Sequence, residues 1–162
     1  MKGITTFLMF NNQAEEAIRF YVSVIPNSRI VTLKLMEEDG QPIPRGKVLQ
    51  AHFELNGVSY FATDGGPDFE FSMGTSLYIH CETQAEVDRL WDRLAEGGGK
   101  QLDCGWVVDR FGLSWQIVPT MLDEIFLGND APKAKRVFEA MLKMKKLDIA
   151  ELERAAREPA HA

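Results

Sequence analysis

The order of apolar and polar residues predicts an alternation of short strands and helices that runs through the chain twice. Residues 4–10, ITTFLMF, form a brief apolar run of β-forming type. Asn12 with Glu15 three residues later has capping-box spacing. Ala14, Ala17 or Ile18, Tyr21 and Val24 or Ile25 then recur at helical spacing until Pro26 stops the helix. SRIVTLKLM (28–36) tends toward a strand, and EEDGQPIPRG (37–46), rich in Pro and Gly, is a loop. KVLQAHFEL (47–55) alternates with Leu49, Ala51, Phe53 and Leu55 on one face and Gln50, His52 and Glu54 on the other. Asn56-Gly57 is a strong signal for a two-residue hairpin turn, and VSYFATD (58–64) returns from it as the next strand.

After a loop over 65–74 the order repeats. TSLYIHC (75–81) reads as a strand. Thr83 with Glu86 starts a helix whose apolar stripe is Val87, Leu90, Trp91 and Leu94, and Gly97 ends it. KQLDCGWVVD (100–109) and LSWQIVP (113–119) read as strands on either side of Arg110-Phe111-Gly112. The two helix starts share letters, NQAEEAIRF against TQAEVDRLW, with Gln13 and Gln84 71 residues apart. The repeated order of elements is the stronger sign of an internal repeat. Beyond residue 120 the pattern is helical. Asp130 with Pro132 starts one helix, with Val137, Met141 and Met144 on a face, and Asp148 with Glu151 starts another. Lys143-Met144-Lys145-Lys146 between them reads as a solvated helix end. The expected organisation is α+β: one domain over 1–120 made of two βαβββ modules, 1–64 and 65–120, followed by a helical extension over 121–162 that docks on the domain or on a second subunit.

Composition narrows the function classes. A chain of 162 residues can bury a full core, and 45% hydrophobic with 26% charged residues fits a globular protein. The net charge of −6 argues against nucleic acid and anionic membrane surfaces as partners. No apolar run approaches the ~20 residues that span a bilayer. The opening MKGITTFLMF reads as a first strand and not as a signal peptide. Cys81 and Cys104 are the only cysteines, without CxxC or zinc spacing, so a reducing cytoplasm is the expected location.

Three stretches carry a family resemblance: FLMFNNQAEEAIRFYVSVIPNSRI (7–30), FATDGGPDFEFSMGTSLYIHCETQAEVDRLWDRLAEGG (61–98) and CGWVVDRFGLSWQIVP (104–119). The tail AKRVFEAMLKMKKLDIAELERA (134–155) matches as well. Together they resemble the PhnB-like branch, named 3-demethylubiquinone-9 3-methyltransferase, of the vicinal oxygen chelate superfamily. That superfamily includes glyoxalase I, bleomycin-resistance proteins and extradiol dioxygenases. The resemblance implies paired modules forming a half-open β-cup with a small-molecule cavity, and a homodimer. It also implies a divalent metal held by His and Glu from strands of both modules. Carried over one at a time, those ligand positions fall near Thr6, at Glu54, near Ser76 and at Gln116. Thr, Ser and Gln are poor ligands for a transition metal, so the metal site is expected to be lost and no cofactor is expected.

His52, Glu54, Ser76, Tyr78, His80, Trp106 and Gln116 are the candidate cup-facing, ligand-binding residues. His52, Glu54 and His80 form an alternative metal or acid/base set, the basis of a rival reading as a metal-dependent lyase, isomerase or dioxygenase. Set against it is the plainer reading of polar residues on a half-solvated sheet. Tyr60, Phe69, Phe71 and Trp115 could join Trp106 in stacking on a flat ligand, with Trp115, opposite in parity to Gln116, expected in the core. Cys104 reads as a small buried hydrophobe and not a nucleophile. Methyl transfer from a nucleotide-type donor would need a glycine-rich turn between strand and helix. The only glycine run, Gly97-Gly98-Gly99, follows a helix instead.

Overall fold

The computed structural model describes residues 1–157. The chain divides into two compact units, Met1–Phe71 and the residues from Ser72 onward. Each holds one four-stranded sheet of the same topology. The first unit contains β1 (Thr6–Phe10), α1 (Ala14–Val24), β2 (Arg29–Leu35), β3 (Val48–Leu55) and β4 (Val58–Asp64), with strand order β1-β4-β3-β2. β1 runs parallel to β4, and the other neighbours are antiparallel. The second unit repeats this with β5 (Ser76–Cys81), α2 (Gln84–Leu94), β6 (Lys100–Gln101), β7 (Trp106–Val108) and β8 (Ser114–Pro119), in the order β5-β8-β7-β6. The α+β class and the duplicated βαβββ plan hold. Among the described residues no helix is long and apolar enough to cross a membrane.

In the first unit α1 covers one face of the sheet. Ala14, Ala17, Ile18, Tyr21 and Val24 are buried, as are Phe10, Phe53, Leu55 and Ala62. The start of α1 differs from the sequence expectation. Asn12 is not the cap: it adopts φ 58°, and Gln13 takes the N-cap position without a side-chain hydrogen bond. The first helical amide is satisfied from across the fold, Ala14 N donating to Asp64 Oδ1 at 2.9 Å. The Asn56-Gly57 turn is as expected, with φ of 47° and 78°, the pair of positive values a type I′ turn requires.

In the second unit the Thr83–Glu86 capping box is complete. Val87, Leu90, Trp91 and Leu94 are buried, and Trp115 is 2% exposed, so the parity of β8 is as read. Residues 100–109, expected as one strand, are two. They break into β6 and β7 at Cys104 and Gly105, both in left-handed conformation (φ 58° and 79°). Among the described residues three further helices follow: α3 (Thr120–Phe126), which the sequence reading did not separate, α4 (Ala131–Met141) and α5 (Ile149–Arg157). They enclose their own apolar cluster of Leu122, Ile125, Val137, Leu147 and Leu152 around Val118 of β8. The linker between α4 and α5 is not simply a solvated end. Cys104 N and Gly105 N donate to Met144 O and Lys145 O at 2.8 and 2.7 Å, and Lys146 Nζ lies 2.7 Å from Asp88. The Gln84 amide holds it on both sides, donating to Leu147 O and accepting from Ile149 N.

Candidate functional site

Each sheet packs its helix on one face and leaves the other open, and the candidate residues divide by strand parity between these faces. In the first unit Ala51, Phe53 and Leu55 point to the helix, so Gln50, His52 and Glu54 stand on the open face. Leu49, expected beside Ala51, joins them. Lys34 pairs with Gln50 but Leu35 pairs with Val48, so Leu49 is the extra residue of a β-bulge. The bulge hands the core position to Val48 and turns Leu49 outward to 43% exposure. Three bonds hold it in place: Val48 N donates to Asp64 Oδ2 at 2.8 Å, and the Thr63 hydroxyl donates to the Val48 and Leu49 carbonyls at 3.2 and 2.8 Å. Beside it lies a pocket of about 330 Å³ lined by Thr32, Lys34, Leu49, Gln50, His52 and Phe61. The His52 ring stacks on Phe61, with centroids 4.9 Å apart and planes inclined by 18°, and its Nε2 is 3.2 Å from Ser59 Oγ.

Glu54 is on the same face but engaged. Arg29 Nε and Nη2 donate to its two oxygens at 2.7 and 3.2 Å, and this hydrogen bonding holds the Glu54 carboxyl below its usual range. Thr6 lies in register with Tyr60, on the row shared with buried Leu8 and Phe10; the adjacent Phe7 is the residue on the open side. Tyr60 stacks on Phe53 at 5.5 Å and Phe71 packs edge-on against Phe10 at 5.1 Å, so neither joins the open face.

In the second unit Ser76, Tyr78 and His80 share the open face with Gln116 and Trp106. Tyr78, Gln116 and Trp106 are in register across three neighbouring strands. The Gln116 amide donates to Ser76 Oγ at 2.8 Å. Asp123, from α3, accepts from Tyr78 OH at Oδ1 and from His80 Nδ1–H at Oδ2, both at 2.8 Å. Burial, and then the bond to Asp123, raise the Tyr78 hydroxyl well above the ordinary tyrosine range. Asp123 was missed from sequence, where it stands 43 residues after His80 in a segment with no motif. The cysteines carry no activation: burial pushes the Cys81 thiol up to about 11 and also raises Cys104.

The positions carried over from the metal enzymes therefore hold a threonine on the helix-facing row, a carboxylate engaged by arginine, and a serine bonded to a glutamine amide. This donor set does not fit a divalent transition metal, which takes imidazole, carboxylate or thiolate ligands. Of the alternative set, His52 and Glu54 belong to the first unit and His80 to the second; among the described residues no three His, Cys, Asp or Glu side chains are grouped as metal ligands. Gly97 and Gly98, with φ of 74° and 112°, follow the end of α2 and do not form a strand-to-helix turn.

Comparison with known proteins agrees with the duplicated fold. The PhnB protein of Bacillus cereus, described as a 3-demethylubiquinone-9 3-methyltransferase, is 37% identical with a TM-score of 0.67, over 74% of this chain and 100% of that one. A protein from Pseudomonas aeruginosa is 27% identical with a TM-score of 0.56, over 74% and 98% of the two chains. The fosfomycin resistance protein FosX of Listeria monocytogenes shares the fold at 13% identity and a TM-score of 0.56, over 80% and 99%. The search of curated proteins gives no match. A family profile described as 3-demethylubiquinone-9 3-methyltransferase matches residues 2–118, most of both modules, and the chain belongs to that family.

Proposed function

We propose that the protein binds a small organic anion with an apolar body on its open sheet faces, without the divalent metal of the wider superfamily. The pocket beside the Leu49 bulge carries this reading. Leu49 and Phe61 offer apolar contact, the His52 imidazole a flat wall, and Lys34 a cation beside the Thr32 hydroxyl and the Gln50 amide. Binding sites for small molecules combine apolar lining and a few placed polar groups in this way. The donor chemistry at the carried-over ligand positions supports the metal-free part. The family's descriptive name does not carry methyl transfer to this chain, because the glycine run does not form a nucleotide-binding turn. The resemblance also favours a homodimer, which a monomeric mass at micromolar concentration would remove.

The test is a thermal-shift screen with small aromatic and aliphatic carboxylates and phosphonates, alongside elemental mass spectrometry of protein purified without chelator or affinity metal. Saturable stabilisation by at least one anion is expected, weakened about tenfold or more by Lys34→Ala, as removal of a charged hydrogen bond worth ~1.5–3 kcal/mol implies. Roughly one divalent ion per chain, with stabilisation by manganese, nickel or zinc, would refute the metal-free reading.

A further inference from the structure

The Tyr78–Asp123–His80 cluster on the second unit's open face has a geometry that packing alone does not require. A carboxylate only accepts hydrogen bonds, so the 2.8 Å contact between His80 Nδ1 and Asp123 Oδ2 places the proton on Nδ1. In the neutral imidazole Nε2 then carries the lone pair. The imidazole is 61% exposed, so that lone pair is accessible. Asp123 cannot swing away easily, because its other oxygen accepts from Tyr78 OH. A carboxylate fixing the tautomer of a histidine whose second nitrogen faces outward is the arrangement of an oriented general base.

The surroundings suggest what would reach it. Tyr78 and Trp106 stand on the two sides of Gln116 in one register row. Two strand spacings separate their backbones by about 9–10 Å, enough for a flat ring to lie over Gln116 between two aromatic side chains. His80 is the next residue on that face of β5, its ring centroid 5.0 Å from that of Tyr78. The amide of Gln116 gives one hydrogen to Ser76, which orients its carbonyl oxygen as a second polar contact.

We propose that His80, positioned by Asp123, accepts the proton of a weakly acidic hydroxyl on a flat small molecule seated between Tyr78 and Trp106. The step balances within the site: the O–H bond breaks, its electron pair stays on oxygen, and the proton joins Nε2. The resulting imidazolium lies between the ligand oxyanion and Asp123. This inference rests on the reading that the open faces take small ligands, and it adds the ligand class for the second unit.

4-Nitrophenol is the probe, because its phenolate absorbs in the visible and its phenol does not. At a pH where the free probe is mostly neutral, the wild-type protein is expected to raise the phenolate band saturably. His80→Gln, checked for folding by circular dichroism, is expected to lose at least tenfold of that signal. Asp123→Asn should reduce it while changing the His80 tautomer seen by long-range ¹H–¹⁵N NMR, whereas a purely structural Asp123–His80 bond would leave the phenolate band unaffected. Absence of the band in wild type, an unchanged band in His80→Gln, or a wild-type Nε2–H tautomer would each overturn the proposal. Failure of the broader reading is separable, since Lys34→Ala concerns only the first unit's pocket.

Discussion

At the scale of single residues, Asp64 has the widest reach. Its 1% exposed carboxylate accepts Ala14 N at one oxygen and Val48 N at the other, joining the start of α1 to the bulge that turns Leu49 into the pocket. Replacement by alanine strands two buried N–H groups. At ~1–3 kcal/mol for each, Asp64→Ala is expected to cost about 2–6 kcal/mol. Asp64→Asn keeps one acceptor oxygen and should cost less. Urea unfolding monitored by circular dichroism measures both, and an alanine variant as stable as wild type would show that these bonds are dispensable. None of this was legible in the sequence, for a physical reason. The bonds span 50 and 16 residues, while cap patterns are read over three or four. Asn12 and Glu15 imitate a capping box, but the helix takes its cap from the end of the neighbouring strand β4, where Asp64 is in register with Phe10. Asp123 was hidden in the same way: the strand parity of Tyr78 and His80 could be read, but the helix that brings them a shared carboxylate could not.

At the scale of elements, legibility follows whether a signal is local. The Asn56-Gly57 turn, the Thr83–Glu86 box and the Trp115/Gln116 parity depend on neighbouring residues, and all three hold in the structure. The bulge at Leu49 and the break between β6 and β7 depend on tertiary contacts and did not show. Gly105 explains the second case. At φ 79° it donates to Lys145 O, accepts from Ile117 N, and lies so close to the chain that a Cβ would be 2.8 Å from Ile117 O and 3.1 Å from Leu147. The β6–β7 turn is thus shaped to receive the α4–α5 linker. Gly105→Ala would force a left-handed alanine against a backbone oxygen and displace Leu147 from the helical cluster. A loss of at least about 1 kcal/mol is expected. Hydrogen exchange is the informative readout: Cys104, Gly105 and α5 should exchange faster while α1 and β1–β4 are unchanged. Uniform acceleration across both units would refute this local account.

For the molecule as a whole, the question is why a duplicated βαβββ plan carries helices α3, α4 and α5 after its last strand. The family profile ends at residue 118, the point where the helices begin to be used. Val118 shares the open face with Gln116, and the helical cluster buries it to 5% exposure. From the same extension come Asp123, bound to Tyr78 and His80, and the Leu147 segment clamped by Gln84. The extension therefore closes one end of the second unit's open face and supplies the carboxylate that orients its histidine. The first unit has no such helices and builds its pocket from a bulge within the sheet instead. A chain ending at Thr120 tests this division of labour. It would expose Val118 and leave the Cys104 and Gly105 N–H groups without their Met144 and Lys145 carbonyl acceptors, and would remove the burial of Leu122, Ile125, Val137, Leu147 and Leu152, each worth ~1.5–3 kcal/mol before the entropy of ordering the helices is subtracted. Protection against hydrogen exchange is expected to fall across β5–β8 and α2 while β1–β4 and α1 keep theirs, and binding at the Lys34 pocket should survive. Equal loss in both units would mean that the extension stabilises the whole chain, and no loss in either would leave the helices with the site alone as their role.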